Sequence, residues 1–138
     1  DIRGLYILDD GIDRELDDIW KDILAKMDFV IVQSYAMTDL AKSAHIVLPG
    51  LAPFEREGTI TNDKGRIQWL RPSLPIKGDS KPDWEILMLV SNALDKEYEY
   101  FAGLGEVIKK MRDQFFSYSD VSLFKIGTQG IALNGKNA

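Results

Sequence analysis

The sequence predicts an α/β fold built around a parallel sheet, and three observations predict it. Short apolar runs alternate with helix-length stretches through the first 50 residues. The runs, such as Phe29-Val30-Ile31-Val32, are apolar without alternation, the pattern of parallel strands covered on both faces. A chain of 138 residues, 45% hydrophobic and 28% charged, is large enough for one domain with a real core.

Leu5-Tyr6-Ile7-Leu8 reads as the first buried strand, stopped by Asp9-Asp10-Gly11. In the following stretch Leu16, Ile19, Trp20, Ile23, Leu24 and Met27 recur at helical spacing, an apolar stripe on an acidic surface. Residues 28–34 form a second strand, Thr38 to Ala44 a short helix, and residues 45–49 a third strand closed by Pro49-Gly50. This β-α-β-α-β core occupies residues 1–53. Residues 54–70 form a hairpin: Thr59–Thr61 and Ile67–Leu70 have strand composition and flank Asn62-Asp63-Lys64-Gly65. Asn at the first turn position and Gly at the last suit a type I turn followed by a left-handed bulge. After a proline-rich connector, residues 80–116 hold two helices. Ser80 is the expected N-cap of the first, with Pro82 in its first turn and Trp84, Leu87, Met88 and Ser91 to Leu94 on its buried face. The second covers Leu104 to Phe116. Residues 117–138 form a weakly patterned tail.

Composition removes several functions. The chain has no cysteine, so disulfides, cysteine-ligated zinc and iron–sulfur ligation are excluded within it, and one histidine cannot build a multi-histidine metal site. The net charge is −5, and all of the excess lies in residues 1–30, which hold four Lys/Arg and nine Asp/Glu. With no basic stripe, nucleic acid is not an expected partner. No apolar run approaches the ~20 residues needed to cross a bilayer. The start at Asp-Ile-Arg-Gly leads almost at once into a core strand, which suggests one domain of a longer polypeptide, or the product of processing.

In an open α/β sheet a ligand sits beyond the carboxyl ends of the strands. Here those ends are Asp9-Asp10-Gly11, Gln33-Ser34-Tyr35 and Pro49 onward, and they are expected to line one crevice. No Gly-rich phosphate loop follows any of these strands. Asp9 and Asp10 suit a cation or a ribose, but a turn after a strand explains them more simply. Glu55 and Glu57 share a face of an extended segment, and Arg56 or Arg66 is their expected charge partner. His45, opening a strand, reads as a structural residue. Trp20, Trp69 and Trp84 sit at core spacing. No nucleophile, base and orienting residue stand at recognisable spacing, so no catalytic residue and no metal ligand is assigned.

One long unit adds to this reading. Ala44, Val47, Leu48, Pro49, Glu55, Gly58, Thr59, Asn62, Gly65, Arg66, Gln68 and the run Asp83 to Leu87 fall in one order and spacing over nearly 45 residues. The unit resembles the signature of the molybdopterin oxidoreductase superfamily, a strand ending in VVLP, an E-x-x-GT-x-x-N-x-x-GR-x-Q stretch and a later DWEIL. Within it the chain looks most like a late part of the 75 kDa iron–sulfur subunit in the peripheral arm of NADH:quinone oxidoreductase (complex I). The resemblance implies a Rossmann-like parallel sheet with an added β-hairpin and C-terminal helices. It also implies a scaffold role in electron transfer from NADH to quinone, with no chemistry and no cofactor in this piece and the iron–sulfur clusters upstream. The partners would be other domains of the parent subunit and other complex I subunits, on the cytoplasmic or matrix side of a membrane-bound complex. The alternative is a cofactor-holding domain of a molybdopterin enzyme such as formate dehydrogenase. Ser34, Glu55, Gly58, Thr59 and Asn62 would then be the candidate pterin contacts. Three departures from the pattern, His45, Lys64 and Gln33-Ser34, each remove a carboxylate near the expected cleft.

Overall fold

The computed structural model describes residues 2–12, 15–94 and 99–133. Its first half is a three-stranded parallel sheet, ordered β1 (Gly4–Leu8), β2 (Phe29–Ser34), β3 (Ile46–Pro49). Register places Leu5 beside Val30, Ile7 beside Val32, and Val32 beside Val47, so these side chains share one face. Val30 and Val32 are fully buried there with Ala41, and Leu24, Met27 and Leu40 pack against them. Two helices supply that cover, α1 (Asp18–Leu24) and α2 (Asp39–Lys42).

The opposite face departs from the expectation of cover on both sides. Leu8, Phe29 and Ile46 stay exposed on it, at 59%, 44% and 43%. An apolar run shows that a face needs cover. It does not show that the same chain supplies it.

Helix α1 is shorter than its apolar stripe. The Asp17 side chain accepts the Trp20 N–H at 2.9 Å and starts the helix at Asp18, which leaves Leu16 outside it. No residue of α1 is buried, and Ile19 is 70% exposed. Trp20 is 40% exposed, against the expectation of a core position. Helix α2 is capped by Thr38, whose Oγ1 accepts the Ala41 N–H.

The second half is an antiparallel sheet ordered β4 (Gly58–Thr61), β5 (Arg66–Leu70), β6 (Ile131–Ala132). The turn between β4 and β5 takes the geometry its residues predict. Gly65 N–H donates to the Asn62 carbonyl, Gly65 has φ +74°, and Asn62 Oδ1 accepts from the Lys64 and Arg66 N–H groups. Gly65→Val is therefore expected to cost about 1–2 kcal/mol, because a β-branched side chain is strained at positive φ. Chemical denaturation followed by tryptophan fluorescence measures this. An unchanged midpoint would mean that the turn adapts.

The tail is more ordered than its pattern suggests. After α4 (Leu104–Gln114) and a single 3₁₀ turn at Phe116–Tyr118, it forms α5 (Leu123–Ile126) and the strand β6. Ile67, Ile108, Val121 and Ile126 make a second core between this sheet and α4 and α5. Sequence periodicity missed α5 and β6 because each spans less than two turns or three residue pairs.

Helix α3 (Asp83–Ala93) begins later than expected. The Lys81 N–H donates to the Pro49 carbonyl in a parallel bridge with Gly50, which holds this backbone extended. The N-cap is thus Pro82 and not Ser80, and no side chain caps the helix. Its buried residues are Ile86 and Met88, while Leu87 and Leu94 face outward. Among the described residues, no helix is long and apolar enough to cross a membrane.

Candidate functional site

Beyond the carboxyl end of β1 lies a pocket of about 420 Å³. Asp9, Asp10, Glu15 and Asp17 line it with Thr38, Trp20 and Leu40. It falls where strand-end logic puts a ligand, but its walls come from β1, the segment between β1 and α1, and the two helices. The ends of β2 and β3 do not line it, so the expected single crevice is not formed. The two aspartates are shaped by local bonds. Asp9 Oδ1 accepts the Gly11 N–H at 3.3 Å, and its Oδ2 accepts the Thr38 hydroxyl at 2.6 Å. Asp10 Oδ1 accepts the Ile12 N–H at 3.0 Å. Both are Asx turns, as a strand-ending Asp pair favours. Carboxylate oxygens carry two lone pairs each, so these groups can still accept from a further donor.

A second polar group closes the open face of the sheet. Tyr6 OH donates to Gln33 Oε1 at 2.6 Å, and Gln33 Nε2 donates to Asp83 Oδ1 at 2.6 Å. Arg56 Nη1 stands 3.7 Å from Asp83 Oδ2, while its Nε donates to the Leu51 carbonyl at 2.6 Å. Gln33 is 2% exposed, so this chain of bonds satisfies a buried amide. It also ties β1, β2, the loop after β3 and the start of α3 to one point. Gly50 lies in the same place: a methyl group there would meet Asp83 Oδ1 at 3.4 Å.

Burial, and then the Asp83 charge, push the Tyr6 phenol above its ordinary value of 10.0. The folded state therefore holds this proton more tightly than the unfolded chain. The contribution is complete below pH 10 and is lost as pH rises through the folded value. Tyr6→Phe should remove that part of the alkaline loss of stability. Urea midpoints of both proteins from pH 8 to pH 11 test it, and parallel declines would refute the linkage.

The residues singled out by sequence do not converge on one site. Ser34 is buried at the end of β2, and its Oγ accepts the Ala36 N–H. Glu55 is buried in the turn after β3, where its Oε2 accepts the Ala52 N–H at 3.0 Å. Gly58 and Thr59 lie in β4, paired with Leu70 and Trp69. Asn62 is exposed and serves the hairpin turn. The expected partners of Glu55 and Glu57 are engaged elsewhere, Arg56 with Asp83 and Arg66 with the Gln129 and Gly130 carbonyls. His45 Nδ1 accepts the Val30 N–H, and its ring packs on Phe29. Sequence reasoning missed the Tyr6–Gln33–Asp83 chain. Its signal was a glutamine at the end of an otherwise apolar strand.

The parallel sheet with its helices and the separate antiparallel sheet define a mixed α/β fold. The chain belongs to the molybdopterin oxidoreductase family, whose profile matches residues 1–93. It is 36% identical over 124 residues to a Staphylococcus haemolyticus protein named "Putative formate dehydrogenase", a match covering 88% of this chain and 12% of that protein. Proteins of the same name from Bacillus subtilis and Staphylococcus aureus are 42% identical over 79 residues and 38% identical over 101 residues. Those matches cover 57% and 72% of this chain, and 8% and 10% of the relatives. The chain thus spans at most 12% of these three relatives. Their names favour the formate dehydrogenase alternative over the complex I scaffold that the resemblance first suggested.

Proposed function

We propose that this chain is a cofactor-holding domain of a formate dehydrogenase of the molybdopterin oxidoreductase family. The observation that carries the reading is the pocket beyond β1, lined by acceptors at the edge of a parallel sheet. Asp9, Asp10 and Glu15 offer carboxylate oxygens to the hydroxyl and N–H donors of a nucleoside, and Trp20 and Leu40 offer it an apolar wall. The donor set fits the nucleoside end of a pterin dinucleotide. Among the described residues no lysine or arginine lines the pocket, so those residues offer no charge partner to the phosphates. The donor set does not fit the metal, because no metal-holding group of side chains exists among the described residues.

When bound, the molybdenum or tungsten cofactor would supply the two-electron oxidation of formate. The role of this chain is to bind and orient. Thr38 holds the Asp9 carboxylate toward α2, and the Tyr6–Gln33–Asp83 bonds keep the strand ends in register. The partners in this reading are the remaining domains of the parent polypeptide.

Elemental analysis of the natively purified parent, with fluorescence detection of oxidised pterin, tests the proposal. Stoichiometric molybdenum or tungsten with pterin is the expected result. Iron without pterin would overturn it and return the chain to a scaffold role in electron transfer.

A further inference from the structure

A second pocket, of about 340 Å³, opens on the other side of the Glu55 turn. Leu51, Pro75, Trp84 and Leu104 form its apolar walls, and Glu55 and Glu57 bring two carboxylates to it. Its outer wall is the connector after β5, pinned where the Ser73 and Leu74 N–H groups both donate to the Phe54 carbonyl. The rim is apolar and open to solvent, with Leu74 at 51% and Ile76 at 53% exposure.

Among the described residues, the two carboxylates have no counter-ion within ion-pair distance. Glu55 is 8% exposed, and only its Oε2 is engaged, with the Ala52 N–H. Neither Glu55 nor Glu57 forms an ion pair with any described residue. Of the arginines beside the pocket, Arg56 is engaged by Asp83 and the Leu51 carbonyl, and Arg71, next to Pro72 of the pocket wall, stacks over the Trp69 ring at 4.5 Å. A buried carboxylate without a cation is costly, and a basic group that reaches it is strongly favoured. The apolar rim selects what carries that group. A small ion or a free amine would leave Leu74 and Ile76 wet, whereas a polypeptide segment with apolar residues beside a basic one covers them.

We propose that this pocket is the docking site for an arginine side chain presented by an apolar protein segment. The guanidinium meets Glu55 and Glu57, its stem lies along Leu51 and Trp84, and the flanking apolar residues cover the rim. The site is separate from the pocket beyond β1, and the proposal does not depend on the formate dehydrogenase reading.

Titration of the ¹⁵N-labelled chain with the capped peptide Ac-Ala-Leu-Arg-Leu-Ala-NH₂, followed by NMR, tests it. The peptide is expected to shift the Trp84 indole N–H and the amides of Ala52, Glu55 and Leu104. The same peptide with citrulline for arginine should bind at least about tenfold more weakly. Glu55→Gln should weaken the arginine peptide by a similar factor and leave the citrulline peptide unchanged. Should Glu55→Gln fail to fold, Glu57→Gln, at an exposed position, carries the same test with a smaller loss. Equal binding of the two peptides, or shifts that map elsewhere, would overturn the proposal. Binding of agmatine as tight as that of the peptide would also overturn it, by making the site one for a free amine.

Discussion

Gly11→Ala is expected to destabilise the chain by about 3 kcal/mol. Two costs combine. Gly11 has φ +72°, where an alanine is strained by about 1–2 kcal/mol. A β-carbon built there would also overlap the Tyr35 ring, so the ring or the loop must move. The effect should reach the pocket beyond β1, because the Gly11 N–H is one of the bonds that orient Asp9. Urea denaturation measures the cost, and the double variant Gly11→Ala, Tyr35→Ala separates its parts. Removing the ring should make the added methyl cheaper, leaving about 1–2 kcal/mol for the backbone. A loss below about 0.5 kcal/mol in the single variant would show that the ring yields freely.

Gln33→Leu is the second. The leucine fills similar volume in a fully buried position but leaves the Tyr6 hydroxyl without its acceptor. The expected loss is about 2 kcal/mol, mostly the desolvation of that half-buried hydroxyl. Asp83 contributes less, because its side chain is 43% exposed and has Arg56 nearby. The double variant Gln33→Leu, Tyr6→Phe should recover about 1 kcal/mol, since both halves of the bond are then gone. Additive losses would mean that Tyr6 and Gln33 do not act together, and the buried chain would lose its place as the clamp on the strand ends.

Much of the architecture was legible because it rests on local rules. The three parallel strands follow from three apolar runs between helix-length spacers. The hairpin follows from Asn62 and Gly65, whose side-chain acceptor and positive φ meet what a type I turn with a bulge requires. The site was legible only as a location. Asp9 and Asp10 stand at a strand end and do line a pocket, but their neighbours there, Glu15, Trp20 and Leu40, lie on later segments that only packing brings close. The sequence groups Glu55 with Gly58, Thr59 and Asn62. Glu55 faces a different pocket, while those three lie in the hairpin and outside both pockets.

The sequence by itself determined the order of the elements, the turn chemistry of the hairpin and the long spaced unit that marks the family. These depend on residues a few positions apart, whose backbone preferences and hydrogen bonds are set within one turn or strand. The tertiary structure decided the rest: which face of the parallel sheet is covered, the start of α3 at Asp83, the joining of β6 to β5, and the transfer of Arg56 from Glu55 to Asp83. Each is a contact between segments distant along the chain. A charge takes the partner that geometry brings within reach, and a sheet face is buried only where some segment arrives to cover it.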